Sequence, residues 1–206
     1  MATTLWPDGQ GQQSDTMPNL SAYLERRLGT SVEPTLSSNL SCATTAGGNH
    51  IELKQVGTAV IHLYRINAVT ISGTVSFSAN ANEDAMATNA RMGCRVVRIA
   101  DGTTTIASDV VDNTNAGHPD DVELGTASAD MTWTATPTST AFSAGDWLGV
   151  IFHADNIGTM AVGTVSLNVG ANVNTFVTFT EAITAFSGAA VASLVIPHRH
   201  RGLIVR

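Results

Sequence analysis

The side chains able to do chemistry fall into a few groups. Asp109, Asp112, Asp120, Asp121, Glu123 and Asp130 crowd one acidic stretch. Hard oxygen donors gathered by a flexible loop suit Ca2+, which takes roughly six to eight of them, and Asp112, Asp120, Asp121 and Glu123 are the candidates. Their spacing matches no EF-hand loop, and a solvated acidic loop accounts for the same composition, so no bound metal is expected. His153 and Asp155 lie two residues apart, as do His198 and His200. On a strand each pair shares a face and could supply half of a metal site, although an exposed strand end explains each pair as well. A metal-dependent enzyme of cupin type would need a further His cluster on converging strands.

Cys42 and Cys94 have no metal-ligand spacing and no recognisable catalytic context. They read as two buried thiols; a disulfide between them is the alternative and needs an oxidising compartment. Trp6, Trp133 and Trp147 could stack on sugar rings, yet Trp133 and Trp147 fit a core equally well. Trp6 sits in a polar N-terminal stretch, where a large aromatic can act as a peg in a neighbour's pocket. The chain has no G-x-S-x-G elbow, no phosphate-binding loop and no G-x-G-x-x-G after a strand. No catalytic residue and no cofactor is expected, and the chain does not read as an enzyme.

The elements that must position these residues are strands. From Ile99 to His198 there is no lysine or arginine but there are ten acidic residues, set among Thr, Val, Ala and Gly. With a net charge of -7, that run argues against nucleic acid and anionic membrane surfaces as partners. Arg199, Arg201 and Arg206 are a local exception. No segment approaches the roughly 20 apolar residues that span a bilayer, and the N-terminus lacks the features of a secretory signal. The chain is expected to start at Met1 and to work in the cytosol or in a particle assembled there. Charged residues make up 13% of its 206 residues, half of the usual share of about 25%. So few charges on a soluble protein point to a surface covered by further copies or a partner.

Three regions are expected: an arm, short helix and linker over 1–50, a β-sandwich over 51–185, and a C-terminal arm or edge strand over 186–206. Residues 1 to about 18 are polar and Gly/Gln-rich and read as a tail. Leu20, Tyr23, Leu24 and Leu28 fall at helical spacing before Gly29, predicting a short helix that docks on its own sandwich or on a neighbour. Residues 30–50 read as a linker or edge strand with a turn at Gly47-Gly48. Apolar residues on both faces of 56–66 predict a central strand, and 68–78 alternates as a strand with one wet face, followed by a loop over 79–89. Asp101-Gly102 predicts a type I′ hairpin turn between strands over 93–100 and 103–111. Further strands follow near 131–136, 147–155, 159–169 and 174–180, after a Gly145-Asp146 turn in which Asp146 serves local backbone N–H groups. A total of about seven to nine strands fits an all-β fold, a jelly-roll or Greek-key sandwich.

The stretches LWPDGQG, MPNLSAYLERRLG, FSAGDWLGVIF and VTFTEAITAF resemble small virion structural proteins of tailed bacteriophages, of the capsid decoration or minor tail kind. The resemblance implies a non-enzymatic subunit located in the virion, a symmetric homo-oligomer such as a trimer, clipped by its termini to neighbours such as the major capsid or tail protein. On that reading Trp6, Leu20, Tyr23, Leu24 and Leu28 bury apolar area against a partner, and deleting residues 1–30 leaves a folded sandwich. The alternative is a carbohydrate- or receptor-binding sandwich, with calcium at the acidic loop and Trp133 or Trp147 holding the glycan.

Overall fold

Period-two alternation of apolar with Ser, Thr and Asn residues runs through most of the chain, and strands follow from it. The computed structural model describes residues 1–8, 16–31, 37–46, 50–112, 123–157, 161–170 and 173–187. In chain order the strands are β1 (Thr3–Pro7), β2 (Leu24–Gly29), β3 (Ser37–Thr44), β4 (His50–Glu52), β5 (Lys54–Gln55), β6 (Thr58–Arg65), β7 (Val69–Ile71) and β8 (Val75–Glu83). They continue with β9 (Ala90–Ile99), β10 (Ile106–Val111), β11 (Ala129–Ala135), β12 (Thr140–Phe142), β13 (Trp147–Asn156), β14 (Gly163–Gly170) and β15 (Phe176–Phe179). The described residues contain no α-helix, only a 3-10 turn at Met86–Thr88.

Two layers enclose one core, as expected of an all-β sandwich. The first runs β10-β9-β13-β6-β2, with β4 added on β13; the second runs β1-β15-β8-β14-β3-β5, with β11 on the free edge of β8. β1 joins the layers by pairing with β15 through Thr3 to Leu5 and with β2 through Trp6 and Pro7. β5 joins them again, bridging β3 and β6. Between them lie Leu5, Leu28, Phe77, Phe152, Leu167 and Phe179. A smaller cluster of Leu20, Ile61, Leu63, Val97, Ile99, Trp147 and Ile151 packs on the outside of the first layer, beneath Met17 and Tyr23. That double burial is why β6 is apolar on both faces and central, as its sequence predicts. Gly149 permits it: a Cβ there would lie 2.7 Å from Val97 Cγ2 and 2.9 Å from Ile61 Cδ1.

Several expectations are corrected. The short helix over 18–29 does not form. Asn19 takes a positive φ of 63°, Tyr23 N–H donates to the Leu20 carbonyl at 3.1 Å, and β2 then runs parallel to β6. Leu24 and Leu28 are four apart, a spacing that fits one face of a strand as well as of a helix, and ladder pairing outweighs a helix too short to be stable alone. The start of the chain is not a free arm either, because β1 is an interior strand and its Leu5 is fully buried. Consequently residues 1–50 contribute strands to the same layers as 51–185, and residues 1–30 cannot be removed without opening the core.

The expected strand over 68–78 is two. Glu181 accepts N–H bonds from Ser72 and Gly73 at 2.8 and 2.6 Å, which breaks the ladder; β7 pairs only with β12. β8 then continues to Glu83 through what reads as a loop. The hairpin of β9 and β10 forms, but its first ladder pair is Ile106 with Ile99, and only Gly102 has positive φ, so the turn is not type I′. The strand total exceeds the expected seven to nine because short edge segments such as β4, β5, β7 and β12 pair as well. The Gly47-Gly48 turn, Asp120, Asp121, His198, His200 and the terminal arginines lie outside the described residues.

Candidate functional interface

The outer face of the second layer carries a regular side-chain pattern. Inward positions of β8 are Val75, Phe77, Ala79 and Ala81; outward positions are Ser76, Ser78, Asn80 and Asn82. Register places like beside like. One row runs Asp130, Asn80, Asn168, Asn39 across β11, β8, β14 and β3. Asn39 Nδ2 donates to Asn168 at 3.1 Å, Asn168 Nδ2 to Asn80 at 2.8 Å, and Asn80 Nδ2 to Asp130 at 2.6 Å. The next row runs Asn82, Ser166, Ser41, with Ser128 donating to Asn82 at 3.1 Å. On the other side lie Thr132, Ser78 and Phe176, then Thr134, Ser76, Thr178 and Thr4, with Thr4 and Thr178 sharing a hydrogen bond at 2.9 Å.

Across these rows the ionisable side chains are Asp130 and, in register with Ser41 on β5, the exposed Lys54. Amide donors from Asn80 and Asn174 hold the Asp130 carboxyl below the usual carboxylate range. Trp6 and Phe176 stand half-buried at the same face, ring centroids 4.8 Å apart and tilted by 58°. The result is a surface of amides and hydroxyls that bond to one another, with an aromatic pair at one border.

The other sequence candidates are dispersed. Trp6 packs on Phe176, Leu20 lies in the outer cluster with Tyr23 against it, and Leu28 lies in the main core with Leu24 against it. All five expected anchors are therefore used within their own chain. Trp133 is 7% exposed and stacks on Phe77, and Trp147 is 3% exposed, so neither offers a face to a sugar. Asp109 pairs with Arg95 at 2.7 Å, and Glu123 is exposed. Cys42 and Cys94 are buried and not bonded to each other; burial pushes the Cys42 thiol up to about 11. Asp146 is buried and accepts from Ser143 N–H at 2.8 Å, Asp101 N–H at 3.0 Å and Arg98 Nε at 2.7 Å, a structural clamp on two turns. Burial opposes its ionisation, but these donors outweigh that and lower its pKa.

One prediction gains a member. His153 and Asp155 share a face of β13, and β4 brings His50 into register opposite Asp155. Asp155 Oδ1 lies 2.8 Å from His50 Nδ1, and Oδ2 lies 3.0 Å from His153 Nε2. Among the described residues this group has the donor set to hold a metal ion, its ligand atoms all within 4.8 Å of one another. The sequence gives no hint of His50, which follows a Gly-Gly pair in a polar stretch and is placed only by the long-range pairing of β4.

Fold and faces together define a β-sandwich module. No protein-family model and no curated protein sequence matches the chain. Among solved structures it is similar to a CocE/NonD family hydrolase from Staphylococcus aureus in two crystal structures, with TM-scores of 0.53 and 0.50 at 10% and 9% identity. Each match covers 87% of this chain but 36% of the hydrolase, so the chain spans about a third of that enzyme's length. At such identity the likeness concerns the fold alone. A structure of infectious bursal disease virus, Gx strain, matches 75% of this chain and 37% of that chain at 10% identity, with a TM-score of 0.23 that carries no argument.

Proposed function

We propose that this chain is a non-enzymatic structural subunit of a phage virion, of the capsid decoration or minor tail kind, and that it assembles with further copies through the amide and hydroxyl face of its second layer. The observation that carries the reading is the scarcity of charge on that face, where Asp130 and Lys54 stand at opposite borders among amides and hydroxyls, on a chain of net charge -7. Two acidic copies repel, and they can meet at low electrostatic cost only where each presents little charge. The stretches that resemble phage virion proteins support the same reading.

Light scattering on the full chain at on the order of 10 μM tests this. A molar mass that is a multiple of 21.4 kDa is expected for the wild type, and the monomer value for a Thr132→Lys, Ser166→Lys double variant with an unchanged circular dichroism spectrum. A monomeric wild type would defeat homo-assembly through this face.

A second reading, a glycan-binding module, draws on the Trp6 and Phe176 pair beside Asn80 and Asn174, since amides with an adjoining aromatic suit sugar hydroxyls and C–H faces. It moves the sugar from Trp133 and Trp147 to Trp6. Glycan-array binding lost in Trp6→Ala would favour it.

A further inference from the structure

We propose that His50, His153 and Asp155 form a binding site for a first-row transition-metal dication that pins the edge strand β4 to β13. The site is independent of the assembly face and would have a structural role. Two imidazole nitrogens and a carboxylate oxygen suit zinc, cobalt, nickel or copper, whereas calcium and magnesium demand oxygen donors throughout. Zinc bonds of roughly 2.0–2.2 Å set tetrahedral ligand atoms about 3.3 Å apart. Each ring nitrogen lies 2.8 or 3.0 Å from its own Asp155 oxygen, and with all ligand atoms within 4.8 Å of one another the set closes on a metal by a shift of up to about 1.5 Å, which the edge position of His50 allows.

The surroundings show a built site. His153 is fully buried and the Asp155 side chain is 7% exposed, both on the long, doubly flanked strand β13. The His153 ring lies directly over residue 93 of β9, where a Cβ would come within 2.0 Å of Nε2. Glycine at that position is what admits the ring. The His50 ring packs against His153 with centroids 4.3 Å apart and planes tilted by 53°, and its side chain is 30% exposed, which leaves a route for an ion and a place for a water ligand. Glu52, in register with His153 and bonded by Tyr23 Oη at 2.9 Å, adds negative charge to the same face. Arg91, in register with Asp155, adds a positive charge there and limits the affinity.

Zinc is the probe, with tag-free full-length protein. After equilibration with Zn2+ and dialysis, elemental analysis should find about one zinc per chain in the wild type, and zinc should raise the melting temperature. His50→Ala, at a half-exposed edge position, and His50→Gln, which keeps a side chain able to bond Asp155, should each lose at least about tenfold in affinity and lose the thermal shift. A His198→Ala, His200→Ala variant should bind as the wild type does. Absence of zinc uptake by the wild type at on the order of 10 μM free metal would overturn the proposal. So would undiminished binding by a folded His50 variant.

Discussion

His62 is a titratable residue held inside the core. It points into the main core from β6, fully buried, edge-on to Phe152 with centroids 6.4 Å apart. Burial lowers its pKa to about 4 and the Arg26 charge adds to that, while Asp8 and the Val150 backbone oppose it. Unfolded, the imidazole takes a proton near pH 6.5, so between that value and about 4 only the unfolded chain is protonated. The contribution of His62 is thus fully present above pH 6.5, is lost as the pH falls to about 4, and amounts to about 3 kcal/mol. Urea unfolding at pH 7 and pH 4 should show that loss in the wild type, and His62→Leu should flatten it; an equal loss in both would refute the assignment. A second test is steric. Gly93→Val should displace the His153 ring and cost about 1–3 kcal/mol in urea unfolding, with a cost near zero showing that the ring does not lie there.

Strand pairing explains which elements could be read ahead of the fold. β6 and β13 announce themselves because long apolar runs with few polar gaps have no other home, and β14 and β15 because their alternation is clean. The N-terminal segment misleads because Leu20, Tyr23, Leu24 and Leu28 satisfy a helical period, and nothing local reveals that β6 offers a ladder to Leu24 through Arg27. The candidate site divides the same way. Ser76, Ser78, Asn80 and Asn82 show a wet face by their period, but that Asn39 and Asn168 continue it depends on register between distant strands. His50 joins His153 for the same nonlocal reason. A concrete consequence follows for β1. Removing residues 1–8 takes out the strand that links the two layers and the fully buried Leu5, so that variant should be unfolded by circular dichroism; a native spectrum would restore the picture of a dispensable arm. Truncating Phe77→Ala on β8, where Trp133 stacks, should cost about 3–5 kcal/mol, measured by urea unfolding.

At the scale of the whole molecule, the two layers differ in what covers them. The outer face of the first is closed at one end by Met17, Leu20 and Tyr23 from its own chain. That of the second carries rows of Ser, Thr and Asn with Asp130 as the lone carboxylate, a composition poor both in the charge that keeps single copies dispersed and in the apolar area that would make them aggregate. Hydrogen bonds within the rows hold the side chains in place before any contact, which lowers the ordering cost of docking. Poor in charge and pre-ordered, the surface suits the proposed association of like subunits, in which weak contacts would be multiplied by symmetry. Cryo-electron microscopy of the native assembly reads this out. A second copy seated on the row formed by Asp130, Asn80, Asn168 and Asn39 is the expected result, whereas a particle or monomer in which that row faces open solvent would contradict it.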